Sequence, residues 1–319
     1  MRTYGQLQCN TIRTQTGEAK LGSTYYDLES IAYQIAAYTG STSWNTCAND
    51  AEVGYREGFV MPNGGALPGY WVFTEGLRRD YELFRDERSK SAVDLLAKHG
   101  SFCSEDTPLE WSASASYIRE DSYCLNAYLD NEALGAGMTP RGDDILAQLL
   151  DQLDATITGR YRAEQDADVP DFCKGRTYAQ PFYMGLAMRS LIKWNARHPD
   201  TRILPAVKRL ADWMWDQLRY KPTSATSGAR FWYGQCSATA GGPLNVWTEA
   251  LGNLPADDLN LLIAPGYAWL YKQTGDVKYR DRGDQIWTVG VQDATVNGLN
   301  SKQFNQNYMW SFDFVKYRR

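Results

Sequence analysis

Two kinds of helical pattern alternate along this chain. The first carries apolar or aromatic residues around most of its circumference, with glycines interspersed, as in YWVFTEGLRRDY, QPFYMGLAMRSL, LNLLIAPGYAWLY and NQNYMWSFDFV. A helix apolar on all sides is one surrounded by protein. The second, as in SAVDLLAKH, ILAQLLDQL and ILPAVKRLADWMWDQL, has one apolar stripe and one charged face, the pattern of a helix on the outside of a core. Helices of the first kind are predicted over 25–38, 70–84, 119–134, 180–194, 257–271 and 303–315. Helices of the second kind follow short breaks, over 44–57, 89–99, 141–156, 203–218 and 277–291. In the third partner, Ala147 and Leu150 are expected to face inward.

The first-kind helices begin near Thr24, Gly69, Arg119, Gln180, Asp257 and Gln303, at intervals of 45, 50, 61, 77 and 46 residues. A period of roughly 50 residues made of helix, tight turn, helix and long loop is that of a curved or closed array of α-hairpins. The first set then forms an inner ring and the second an outer ring, with every long loop on one face. Thr24 is a plausible N-cap for the first helix, with Asp27 in its first turn, and Gly40 is a left-handed C-cap. The sixth inner helix has no room for a partner before Arg319, so either the N-terminal arm, 1–23, covers the gap or the native chain continues. No linker, charge block or low-complexity stretch divides residues 1–319, which are read as one domain.

This alternation resembles the α/α toroid of the six-hairpin glycosidase and polysaccharide lyase superfamilies. The likeness also lies in a turn-and-start phrase, Tyr271-Lys272-Gln273-Thr274-Gly275-Asp276-Val277-Lys278-Tyr279, echoed at Tyr38-Thr39-Gly40-Ser41-Thr42-Ser43-Trp44. It spans nearly the whole chain, although the phrase is common in helical repeats and identifies no closer family. The resemblance implies a carbohydrate cleft where the inner-helix N-termini open, on the long-loop face.

Composition sharpens this picture. A net charge of −5 with scattered basic residues argues against a nucleic-acid or anionic-membrane surface. No run of about 18 apolar residues exists to span a membrane, and residues 1–22 lack a signal-peptide core. The 11 Trp and 21 Tyr suit stacking on sugar rings, since each offers a flat apolar face and a polar edge, though the same side chains also pack helices together. The six cysteines form no CxxC pair and have no histidine at ligand spacing, so no metal site is expected. An even count fits disulfides and a secreted or periplasmic protein. At least one bridge is expected among Cys103, Cys124, Cys173 and Cys236.

The predicted cleft face collects Trp71 and Glu75, Arg119, Glu120 and Asp121, and Arg176, Tyr178 and Tyr183. It also collects Asp257 and Asp258, then Gln306, Asn307 and Tyr308, with Phe231, Trp232, Tyr233, Trp247 and Glu249 from the longest loop. Glycoside hydrolysis needs two carboxyl groups flanking the scissile bond. Glu75, Asp121 and Asp258 are the leading catalytic candidates. The plain reading of Asp121 and Asp258 is a first-turn helix-dipole partner. That of Glu75, which lies beyond the first turn of its predicted helix, is an ion pair with Arg78 or Arg79. Trp71, Arg119, Glu120, Arg176, Tyr178, Tyr183, Trp232, Asp257, Gln306, Asn307 and Tyr308 are the substrate-binding candidates. A uronate lyase with Tyr178 or Tyr308 as base and Arg119 or Arg176 beside the carboxylate is the alternative, as is a non-catalytic carbohydrate-binding domain. No Gly-rich phosphate loop, GxSxG, HExxH or EF-hand pattern appears, and no cofactor is expected.

Overall fold

The computed structural model describes residues 2–163, 169, 171–220, 228–238, 244–247, 255–294 and 302–319. Helices α1 (Arg2–Thr14), α2 (Gly17–Thr24) and α3 (Leu28–Thr39) come first. Helix α4 (Ser43–Glu52) follows and widens into a π-helical segment, Val53–Val60. The next hairpins pair α5 (Glu75–Phe84) with α6 (Glu87–His99), and α7 (Ile118–Ala133) with α8 (Pro140–Ile157). Then α9 (Pro181–Arg197) pairs with α10 (Ile203–Trp213), and α11 (Asn260–Thr274) with α12 (Val277–Gln292). The chain finishes with α13 (Lys302–Tyr308) and α14 (Ser311–Arg318).

The inner helices touch in sequence order, α3 on α5, α5 on α7, α7 on α9 and α9 on α11, and α11 packs on α13 and α14. The circle closes where α13 returns to α3. Asn305 donates there to the carbonyls of Ser23 (2.9 Å) and Tyr25 (2.8 Å). The expected toroid is therefore the observed fold, with α4, α6, α8, α10 and α12 outside it. The N-terminal arm is itself helical. It covers the sixth gap, because α1 packs between α4 and α13. A Cβ on Gly5 would meet Trp44 at 2.8 Å and Phe304 at 2.9 Å, so glycine permits this close seating.

Three expectations need correcting. Ala147 is exposed and Leu150 only half-buried, while Ile145, Leu146, Leu149, Gln152 and Leu153 form the inward stripe of α8. Ala147 lies two residues from Ile145 and from Leu149, about 200° round the helix. Thr24 ends α2 rather than capping α3. Tyr26 and Asp27 are left-handed (φ 64° and 57°), and Asp27 is the cap, accepting from Ser30 N at 3.1 Å. Glu75 is the first residue of α5, since Gly69–Trp71 forms a separate 3-10 turn.

All six cysteines are bridged, as Cys9–Cys47, Cys103–Cys124 and Cys173–Cys236. The last ties the turn at Asp171–Cys173 to the middle strand of a small antiparallel sheet of β1 (Tyr178–Ala179), β2 (Gln235–Ser237) and β3 (Leu244–Trp247), in that order. This sheet lies in the long-loop segments, and its Ala179 and Leu244 join the main core that the helices build. Among the described residues no helix is long and apolar enough to cross a membrane.

Candidate functional site

Chain segments entering the inner helices bring a cluster of side chains together around Arg119. The first turn of α7 supplies Arg119 and Glu120, joined by an Nε–Oε1 hydrogen bond of 3.0 Å. The guanidinium lies over the ring of Tyr70, at 5.3 Å, and over that of Tyr183 in the first turn of α9, at 5.1 Å. Tyr25, just before α3, meets the edge of Trp71 with ring centroids 4.7 Å apart. Lys302, opening α13, lies 5.4 Å over the Tyr25 ring. From the turn before α11, Asp258 accepts a hydrogen bond from Gln306 of α13.

The cluster exists because each inner helix begins at this end, and the segments leading into them must pass one another here. Gly69 makes one such close pass: a Cβ on it would fall 2.6 Å from Glu120 Cγ. Tyr70 is 41% exposed and Tyr25, Trp71, Arg119 and Tyr233 are half-buried, so these side chains are partly open to solvent.

Electrostatics divide the groups. Burial pushes Tyr25 up to about 12, with Arg119 pulling the other way. Burial likewise raises Tyr183 well above the ordinary phenol value. Burial opposes the charge on Arg119, but the facing Tyr183 and Glu120 more than offset it and its pKa rises. Burial also raises the Asp258 carboxyl, partly countered by the Gln306 hydrogen bond and by Lys302. Desolvation and the nearby Arg119 charge push Lys302 down.

A second, deeper constellation fills the barrel axis. Glu75 is 6% exposed and is gripped by Arg79 (2.8 Å) and by Arg189 of α9 (2.5 Å). Burial alone would raise its pKa, yet these cations hold it well below the usual carboxylate range. Arg189 continues to Asp313 of α14 at 3.1 Å, and Asp130 of α7 binds Arg78 (2.8 Å) and Lys193 (2.7 Å). A cavity of about 10 Å³, room for one water, lies between Asp27, Glu75, Tyr123, Asp130 and Arg189. Glu75 and Asp130 are each held by two cations, and little free volume remains between them.

Several sequence candidates point elsewhere. Asp121 is fully buried and turned toward α8, accepting from Gln148 (2.9 Å) and Gln152 (2.8 Å). Asp257 is engaged by Arg230, which also binds Asp293 past the end of α12. Asn307 donates to Gly290 O of α12 at 2.8 Å, and Tyr308 packs on Phe304. Arg176 donates to Ser237 O at 3.4 Å, and Tyr178 lies in the small core around Cys173–Cys236. Trp232 is buried edge-on against Tyr220. Glu249 lies outside the described residues. Of the candidates, Arg119, Glu120, Trp71, Tyr183, Asp258 and Gln306 are brought to the opening. Tyr25 and Lys302 join them unforeseen, although Tyr25 opens the predicted helix 25–38 and Lys302 stands one residue before the predicted helix 303–315. Neither histidine is there: His99 is exposed at the end of α6, and His198 pairs with Glu132 at 2.8 Å.

Neither a family model nor a curated relative matches the sequence. Among solved structures, the chain is similar to a cellobiose 2-epimerase from Bacillus thermoamylovorans B4167, with a TM-score of 0.54 at 10% identity. The alignment covers 97% of this chain and 87% of that one. A likeness over this span at so low an identity establishes the α/α-toroid fold.

Proposed function

We propose that this protein is a carbohydrate-active enzyme, a glycoside hydrolase that binds a polysaccharide or oligosaccharide at the Arg119 cluster. The observation that carries the reading is the convergence of aromatic faces, a guanidinium and two carboxylates at the inner-helix N-termini. Half-exposed Tyr and Trp rings offer apolar faces to a sugar and polar edges to its hydroxyls. A sugar epimerase on the same fold supports a carbohydrate ligand by analogy of fold alone.

Glu120 and Asp258 are the carboxylates at this opening. Asp258, raised by burial, suits a general acid that must hold a proton for the leaving group. Glu120, held by Arg119, suits the second role, as base or nucleophile. Glu75 and Asp121 serve instead as a charge partner inside the barrel and a buried anchor for α8. Glu120→Gln and Asp258→Asn should each lower hydrolysis at least about 100-fold with unchanged circular dichroism and Tm. Near-wild-type turnover in both would sink the assignment.

The placing of Arg119 over Tyr183 and of Lys302 over Tyr25 favours a second reading, a uronate lyase with Tyr25 or Tyr183 as base rather than Tyr178 or Tyr308. A substrate screen read by reducing ends and by absorbance of unsaturated products separates the two. Reducing ends alone support the hydrolase, absorbance as well supports the lyase, and neither supports a binding domain. Three disulfides fit an oxidising compartment, and we infer export.

A further inference from the structure

Where α3, α4 and α5 meet, three carboxylates face one another out of solvent. Glu29, Glu52 and Asp80 are 3%, 3% and 4% exposed, and each offers an oxygen within 4.8 Å of the others. Arg56 is the cation inside the group. It contacts Glu52 and lies 3.7 Å from Asp80 Oδ2, but it also serves Asp86 at 2.8 Å and Glu57 at 2.7 Å. One guanidinium thus meets four carboxylates, and the second arginine nearby, Arg88, pairs with Glu57. Tyr33 donates to Asp80 Oδ1 at 2.7 Å. Glu29 is left out: both of its oxygens are buried with no hydrogen-bond partner. A buried carboxylate without a partner is costly, and its oxygens aim at two further acids.

We propose that Glu29, Glu52 and Asp80 hold a hard divalent cation of calcium size, a site the sequence pattern did not lead us to expect. The donors are all carboxylate oxygens, which select Ca²⁺, Mg²⁺ or Mn²⁺ over softer metals. Oxygens on opposite sides of Ca²⁺ stand about 4.6–5.2 Å apart, whereas Mg²⁺ would draw them in to about 4.0–4.2 Å. The oxygens of this cluster lie within 4.8 Å of one another, which admits both ions, but three acids shut away from solvent favour Ca²⁺, because Mg²⁺ gives up its waters reluctantly. Glu57 and Asp86, with side chains 29% and 34% exposed, form an acidic rim on the approach from solvent. The ion would tie two inner helices to an outer one and leave Arg56 on the rim acids.

The test uses the whole chain, stripped with chelator and melted at neutral pH with CaCl₂, MgCl₂ or MnCl₂, with calorimetric titration of each salt. CaCl₂ should raise Tm saturably and bind most tightly, with one ion per chain. Glu29→Gln keeps the side-chain volume and should weaken Ca²⁺ binding at least about tenfold; should it fail to fold, Glu52→Gln gives the same reading. The proposal is overturned if wild type ignores all three salts at millimolar concentration, if Mg²⁺ binds more tightly than Ca²⁺, or if the variant binds Ca²⁺ unchanged. Stability that instead falls as pH rises through neutrality, with no ion effect, would mean that protons hold the cluster together.

Discussion

On the first turn of α7, two adjacent acids meet opposite surroundings. Glu120 turns to the opening and an arginine, while Asp121 turns about 100° away into the seam with α8. Burial pushes Asp121 up to about 7 from the ordinary 3.8, against the pull of its glutamine and serine hydrogen bonds. The folded chain therefore keeps a proton that the unfolded chain releases between those two values. The resulting stability is fully present below the lower value and lost as pH rises through the upper one. Asp121→Asn should remove this slope: the Tm difference between pH 5 and pH 8 should shrink by at least about 2 °C, with hydrolysis retained. Identical profiles in the two proteins would refute the buried-anchor role. Residue types at the helix starts were legible, but their directions were not. Glu75 shows why: its pairing with Arg79 follows from helical spacing, whereas Arg189 stands 114 residues away and meets it only because α5 and α9 share the barrel axis.

At the scale of elements, the inner helices approach one another through glycines. A Cβ on Gly185 of α9 would fall 2.7 Å from Leu262 O of α11, against backbone that cannot swing aside. Gly185→Ala should cost about 1–3 kcal/mol, read as a lower denaturant midpoint with unchanged m-value. Gly22 in α2 has nothing within 4 Å of such a Cβ, so Gly22→Ala should be neutral or stabilising by up to about 1 kcal/mol. A large loss at Gly22, or none at Gly185, would contradict the packing described. Periodicity revealed the helices of the two rings and which ring each joins, but not α1 and α2 in the N-terminal arm or the break between α13 and α14. It misplaced the starts of α3 and α5, because left-handed Tyr26 and Asp27 and the Gly69–Trp71 turn interrupt stretches whose composition reads as helix.

For the whole molecule, ring closure depends on α1 filling the outer position beside α13. Cys9–Cys47, spanning 38 residues, pins that helix to α4. Replacing both cysteines by alanine should cost about 2–4 kcal/mol, seen as a lower urea midpoint; an unchanged midpoint would show that packing alone holds α1. The alternation of all-round apolar and one-sided amphipathic helices, with capping glycines and a repeat near 50 residues, determined by itself that this chain builds two concentric rings. The reason is local: burial of a helix on one side or on all sides is written in its own periodicity. What the tertiary structure alone decided is which charges meet. Glu120 beside Arg119 and Tyr183, Asp258 beside Gln306, and Glu29 beside Glu52 and Asp80 join different helices or turns, or depend on the rotation of one helix. Those relations are set by how the helices turn against each other when the circle closes.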